Sequence, residues 1–201
     1  AKELNVEKLV ELMLGRELGN MFPARTAKPR GEPLMQVRDL WPDGVLEPVS
    51  FDIYPGEILG LAGQLGAGTA EILAAMAGAA RTRGGTLVFE GREFLPKRPK
   101  EAIAAGIGYG SDDRKHDGLF LGRPILENLT APALNRVSKG GFLSPSRVVE
   151  MASETAVKFT VDPERLPQEA GVLSGGNQQK VALGKWLSIE PKIILVNEPT
   201  R

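Results

Sequence analysis

The sequence predicts an α/β protein, and three stretches carry that prediction. A glycine loop sits between a strand pattern and a helix pattern at Gly63 to Gly68. A helix opens on two glycines at Ser174-Gly175-Gly176. A short apolar strand ends in Asn197-Glu198-Pro199. The 201 residues suffice for one domain of ordinary size with a buried core. The chain has 25 Lys plus Arg and 25 Asp plus Glu, so it lacks the basic excess of a nucleic-acid binder. It has no cysteine, which excludes disulfides and thiolate metal sites. No apolar run reaches the roughly 18 residues of a membrane span, and no signal-peptide pattern opens the chain. The start at Ala1 and the end at Arg201 both read as cut.

The elements follow in order. Val6, Leu9, Val10 and Met13 repeat at helical spacing, which predicts an amphipathic helix over 5–14. Pro23, Pro29 and Pro33 make the next stretch a linker. Short alternating segments from Leu34 to Ile58, broken by Pro42, Asp43-Gly44, Pro48 and Pro55-Gly56, predict strands and turns. Glu57 to Ala62 reads as a compact apolar strand, Ala70 to Ala77 as a helix with Ile72, Leu73 and Met76 on one face, and Gly84 to Glu90 as a strand. Ala102 to Tyr109 passes from helix to strand. The region 120–170 has helical texture, with Val148, Val149, Met151, Ala152, Ala156 and Phe159 in the pattern and Ser138-Lys139-Gly140-Gly141 as a loop. It reads as a helical subdomain inserted into the α/β core. A helix starts near Ser174 with Ala182, Leu183, Trp186 and Leu187 on its apolar face. Ile193 to Val196 reads as a buried parallel strand. The chain thus divides into a helix and linker (1–32), a β-subdomain with a glycine-loop core (33–119), a helical subdomain (120–172) and a last helix and strand (173–201).

Gly63-Gln64-Leu65-Gly66-Ala67-Gly68 has the setting of a phosphate-binding loop. Glycines allow positive φ, so several N–H groups can face one anion, and the next helix adds its dipole. A P-loop continues with Lys and then Ser or Thr. Here Thr69 brings no cation for the phosphates and Ala70 no hydroxyl for Mg²⁺. A ligand-free strand-to-helix turn is the competing reading of this loop. Ser174 sits where it can cap its helix through its hydroxyl. Gly175 and Gly176 leave the first turn open, and Asn177, Gln178 and Gln179 add neutral donors, so the helix end reads as an outward anion-binding surface. An ordinary capped helix is the blander reading.

Leu173 to Val181, Leu-Ser-Gly-Gly-Asn-Gln-Gln-Lys-Val, resembles the signature of ABC-type ATPases in the form found in bacterial monosaccharide importers. Gly63 to Glu71 resembles the Walker A loop of the second ATPase half of those proteins, and Ile193 to Arg201 their Walker B strand. Asp112-Asp113-Arg114-Lys115 with Gly118-Leu119 is similar to their Q-loop region. Leu126-Glu127-Asn128 fits the segment after it. Gly15-Arg16-Glu17-Leu18 with Phe22-Pro23 is similar to the connection between the halves. The resemblance implies a P-loop fold of the ABC type with an antiparallel β-subdomain and an inserted helical subdomain, cut short at its C-terminus. The cofactors it implies are ATP and Mg²⁺, both weakly held here. The partners it implies are an N-terminal ATPase half on the same polypeptide, membrane permease subunits and, indirectly, a periplasmic sugar-binding protein. It places the protein in the cytoplasm at the inner face of the plasma membrane.

Residue by residue, the resemblance makes Glu198 the general base. Gly63 to Ala70, Asp112 and Asn197 become the chain's own nucleotide site. Leu173, Ser174, Gly175, Gly176, Asn177 and Gln178 become the surface offered to ATP held by the other half. Thr69, Ala70, Asn197 in place of Asp, and Asp112 in place of Gln or Glu depart from the pattern. The expectation is therefore a division of labour, with the own site weak or inactive and the signature intact. A competent ATPase half, a nucleoside importer and a soluble ABC protein outside transport stand as alternatives. His116 is expected at the surface, and Trp41 in a core or turn before any adenine-stacking role.

Overall fold

The computed structural model describes residues 31–64 and 66–199. The helix and linker expected before residue 31, and Leu65 and Arg201, lie outside them. Four strands form an antiparallel sheet in the order β2-β1-β3-β4: β1 (Met35–Pro42), β2 (Val49–Ile53), β3 (Thr82–Phe89) and β4 (Arg92–Glu93). Alternation in β1 explains its place. Met35 and Val37 point inward and are fully buried, as is Leu40, after a bulge that restores the inward face. Asp39 carries the bulge at φ 46°, and its N–H donates to Ser50 Oγ at 2.8 Å. Gly85 lies opposite at φ 100°, where a Cβ would sit 2.5 Å from the Asp39 carbonyl oxygen and the Leu40 Cα. Only glycine fits there.

Helix α1 (Thr69–Met76) follows the glycine loop and packs Ile72, Ala75 and Met76 under this sheet. Helix α2 (Pro99–Ala105) begins on proline, already bent to helical φ, and ends at Gly106 with φ 87°. It leads into β5 (Ile107–Gly110), which pairs in parallel with β8 (Ile193–Val196). Ile107, Ile193 and Leu195 complete this first core.

The second core is helical. Helices α3 (Ile125–Thr130), α4 (Pro145–Lys158) and α5 (Gly175–Gly184) bring together Ile125, Leu129, Ala152, Ala156, Val181 and Ala182. Buried Asn128 is its polar staple. Its Oδ1 accepts from the Phe120 N–H at 2.8 Å, and its Nδ2 donates to the carbonyls of Phe120, Pro124 and Arg123 at 3.0, 3.1 and 3.3 Å. Each buried polar group left without its partner costs about 1–3 kcal/mol. Asn128→Ala is expected to lower stability by about 3 kcal/mol, read as a fall in the urea midpoint at unchanged slope.

Four local expectations are corrected. Glu57 to Ala62 forms no strand. A strand needs a hydrogen-bonded neighbour, and among the described residues β8 is bonded only to β5. The 57–63 segment instead shares an open groove of about 770 Å³ with β8, leaving Ile58 95% exposed. For the same reason β8 is buried on one face only, with Ile194 exposed. Ser138 to Gly141 is a small hairpin rather than a loop. Strands β6 (Ser138–Lys139) and β7 (Phe142–Leu143) flank Gly140 and Gly141, both at positive φ, as a tight two-residue hairpin turn requires. Val149 of α4 faces solvent, because Ala152, Thr155 and Ala156 form the buried stripe.

Candidate functional site

Two glycines of the loop take the positive φ that glycine allows. Gly66 and Gly68 adopt φ 84° and 91°, and Gly68 caps α1 with no side-chain bond across the helix end. A Cβ on Gly68 would lie 2.6 Å from Val45 Cγ2, so this position needs glycine on steric grounds as well. Gly63, Gln64, Gly66 and Ala67 are exposed, while Thr69 and Ala70 are half-buried in the first turn of α1. Gly63 and Thr69 line the open groove beside β8, together with Asn197 and Glu198.

Asn197 and Glu198 also line a smaller cleft with Tyr109, Asp112, Arg114, Gln179 and Lys185. The end of β8 therefore joins both parts of the site. Asn197 donates through its N–H to the Gly110 carbonyl at 2.9 Å and through Nδ2 to Asp112 Oδ1 at 2.9 Å. An aspartate at 197 would set two carboxylates against each other here, whereas the amide makes a hydrogen bond. Glu198 is exposed and holds φ 44°, a conformation that costs a non-glycine residue about 1–3 kcal/mol and concentrates at functional sites. The Tyr109 phenol is pushed up by burial and by the Asp112 carboxylate.

Gly66 and Gly68 lie at positive φ where the loop enters α1, and a helix start of this kind is a setting that suits a phosphate group. The side chains do not suit a strongly held Mg²⁺. Ala70 has no hydroxyl, and Asn197 turns its donor toward Asp112. Among the described residues no group of three or more His, Asp or Glu side chains is placed to hold a metal ion.

Ser174, Gly175 and Gly176 are exposed at the start of α5, and nothing lies within 4 Å of a Cβ placed on either glycine. Two expectations change here. Ser174 is the N-cap residue but makes no side-chain capping bond. Gln178 turns inward, and its Nε2 donates to the Leu173 carbonyl at 3.2 Å, so it closes the turn instead of facing a ligand. Leu173 is buried, and Asn177 and Gln179 are half-buried.

The turn after β5 carries contacts the sequence reading passed over. Arg114 Nη1 donates to the Gly175 carbonyl at 3.0 Å. Lys185 Nζ donates to the Gly118 carbonyl and lies 5.0 Å from the Trp186 ring centre. Burial pushes the Lys185 ammonium down to about 8, although the Gly118 carbonyl favours the charged form. Asp113 accepts from the N–H groups of Lys115 and His116 and pairs with the His116 ring at 2.7 Å. Those contacts hold its carboxyl below the usual range. His116 is at the surface, with its side chain 82% exposed. Trp41 is held in its turn by an Nε1 bond to the Val45 carbonyl, with Arg83 over its ring at 5.4 Å.

A glycine loop leading into a helix, an acidic strand end and an exposed glycine-rich helix start mark an α/β domain of the kind that binds nucleotides. The chain belongs to the ABC transporter family, whose profile matches residues 46–201. It is 39% identical over 199 residues to the ribose import ATP-binding protein RbsA of Halalkalibacterium halodurans, an alignment covering 99% of this chain and 40% of that protein. A Burkholderia cenocepacia protein provisionally named for ribose/galactose/methyl galactoside import is 42% identical over 99% of this chain and 39% of its own length. The chain thus spans about two fifths of the length of these relatives. Its fold matches the ATP-binding cassette MJ1267 of an ABC transporter with a TM-score of 0.69 at 22% identity, over 84% of this chain and 70% of that one. The dimeric cassette MJ0796, bound to ADP and Pi, matches at 0.68 and 21%, over 83% and 74%.

Proposed function

We propose that this chain is the second ATP-binding half of an importer of simple sugars, and that its main task is to complete the ATP site of the other half. The observation that carries the proposal is an asymmetry within one domain. The Ser174-Gly175-Gly176 end of α5 is exposed and uncovered, while Thr69, Ala70 and Asn197 weaken the chain's own loop and strand end. In this reading the helix start orients the phosphates of a nucleotide held opposite, and its N–H groups stabilise charge developing there. Glu198 is the general base of the chain's own site, which turns over slowly. The names of the relatives support sugars over nucleosides, and the dimeric match supports two cassettes facing each other. The partners are the other half on the same polypeptide, the permease and, through it, a periplasmic sugar-binding protein. The place is the cytoplasmic face of the membrane. The test is to measure ATP turnover of the other half with and without this domain. A large rise on pairing is expected, and equal turnover sinks the proposal.

A membrane partner also accounts for an exposed apolar groove of about 620 Å³ in the helical region, lined by Phe120, Leu134, Leu143 and Val149. Apolar surface of this kind marks an interaction site. Phe120→Glu with Leu143→Glu is expected to abolish co-purification with the permease without unfolding the domain, since both side chains are exposed. Unchanged co-purification places the contact elsewhere.

A further inference from the structure

We propose that Arg114 and Lys185 are positioning residues that brace the two ends of α5 against the Asp112–Gly118 turn, and so set the presentation of Ser174, Gly175 and Gly176. The proposal rests on the donated-signature reading above and names the groups that make it work.

The geometry is a two-point clasp. Helix α5 has 10 residues and is about 15 Å long. The turn beside it has five, Arg114–Gly118. A turn that short reaches both helix ends only through long side chains, and the two longest cations supply them. Arg114, at the start of the turn, reaches Gly175 at the start of α5. Lys185, just past the end of α5, reaches back to Gly118 at the end of the turn. Both bonds end on main-chain carbonyls, so each link fixes backbone to side chain and does not depend on a second rotamer. Gly118 is buried, and Lys185 is half-buried in the cleft that also holds Asp112 and Asn197.

The turn is itself fixed. Asp113 closes it by accepting from Lys115 and His116, and Asp112 is tied to the end of β8 by Asn197. The path from β8 to the signature surface therefore runs Asn197, Asp112, Arg114, Gly175, with a hydrogen bond or at most two peptide units at each step. Gly175 and Gly176 make this bracing necessary. Two consecutive glycines are poor helix formers, and Ser174 adds no side-chain cap. Without Arg114 the first turn of α5 keeps the Gln178 bonds to the Leu173 and Ser174 carbonyls but loses its tie to the Asp112–Gly118 turn.

The experiment uses this domain paired with the other ATP-binding half. ATP turnover and amide hydrogen exchange are followed in Arg114→Ala, Lys185→Met and the double variant. Loss of one bond to a charged group predicts at least about a ten-fold effect. The expected result is a kcat lowered about ten-fold or more with KM for ATP within about two-fold, since the nucleotide is held by the other half. Exchange at Gly176, Asn177 and Gln178 rises while exchange in β1 and β3 stays the same. Arg114→Lys, which keeps a cationic donor for the Gly175 carbonyl, restores most of the turnover. The proposal is overturned if kcat and signature exchange are unchanged, or if exchange in β1 and β3 rises equally, which marks loss of fold. Gly176→Asp serves as the control. If it too leaves turnover unchanged, the donated-signature reading fails and the clasp with it. If it abolishes turnover and the clasp variants do not, only the clasp fails.

Discussion

Gly176→Asp is expected to lower ATP turnover of the paired halves about 100-fold or more and to leave the stability of this domain nearly unchanged. Gly176 is exposed, with open space around any Cβ, so the new side chain meets no clash. An acidic residue in the first turn favours a helix, through propensity and through the helix dipole. Stability therefore moves slightly upward if it moves at all. Turnover moves the other way for the same electrostatic reason. In the proposed role, the carboxylate competes with phosphate for these N–H groups and repels the anion itself. Removing one preorganised donor typically costs about 10²–10³ in rate, and like-charge repulsion adds to it. The measurement is steady-state phosphate release beside a thermal unfolding curve. A protein that loses stability and turnover together contradicts this account.

The second large effect is a gain. Thr69→Lys with Ala70→Thr is expected to tighten Mg-ATP binding at the chain's own site by at least about 100-fold, because each bond to a charged group contributes about 1.5–3 kcal/mol. Both positions lie in the first turn of α1, which has no side-chain cap to displace. Adding Asn197→Asp is expected to help only with Mg²⁺ present. Asn197 Nδ2 stands 2.9 Å from Asp112 Oδ1, so a carboxylate there repels its neighbour until a cation lies between them. Calorimetry with and without Mg²⁺ separates the two steps. Unchanged affinity in the Thr69→Lys, Ala70→Thr variant shows that backbone donors alone define the site.

Much of this was legible in the sequence where local chemistry decides. Gly66 and Gly68 announced a loop at positive φ, and Leu173 to Lys180 announced a helix start open to another molecule. The passage from helix to strand within Ala102 to Tyr109 was also legible, although the helix begins earlier, at Pro99. What stayed hidden depends on distant neighbours. Glu57 to Ala62 has a strand's composition, yet no strand is bonded to it among the described residues. Gln178 reads as a surface donor until the Leu173 carbonyl is seen beneath it. Ser174 has the identity of a capping residue, and identity alone cannot show that its hydroxyl leaves the backbone uncapped. Lys185 left one signal that a closer reading finds. It is the single charged residue between Val181 and Ile189, and a lysine within so apolar a run needs an acceptor for its ammonium. Its acceptor, Gly118, lies 67 residues earlier, beyond the reach of any local pattern. Asn197 carried two meanings of which one was visible. As a departure from aspartate it weakens a metal shell, and its bond to Asp112 shows why the amide suits this domain.

The central claim is that this domain is better fitted to complete a partner's ATP site than to run its own. Titration of the chain alone with Mg-ATP, with phosphate release followed in the same sample, tests it most directly. The account predicts binding no tighter than the millimolar range and no steady release of phosphate. Micromolar binding with continuous turnover contradicts it.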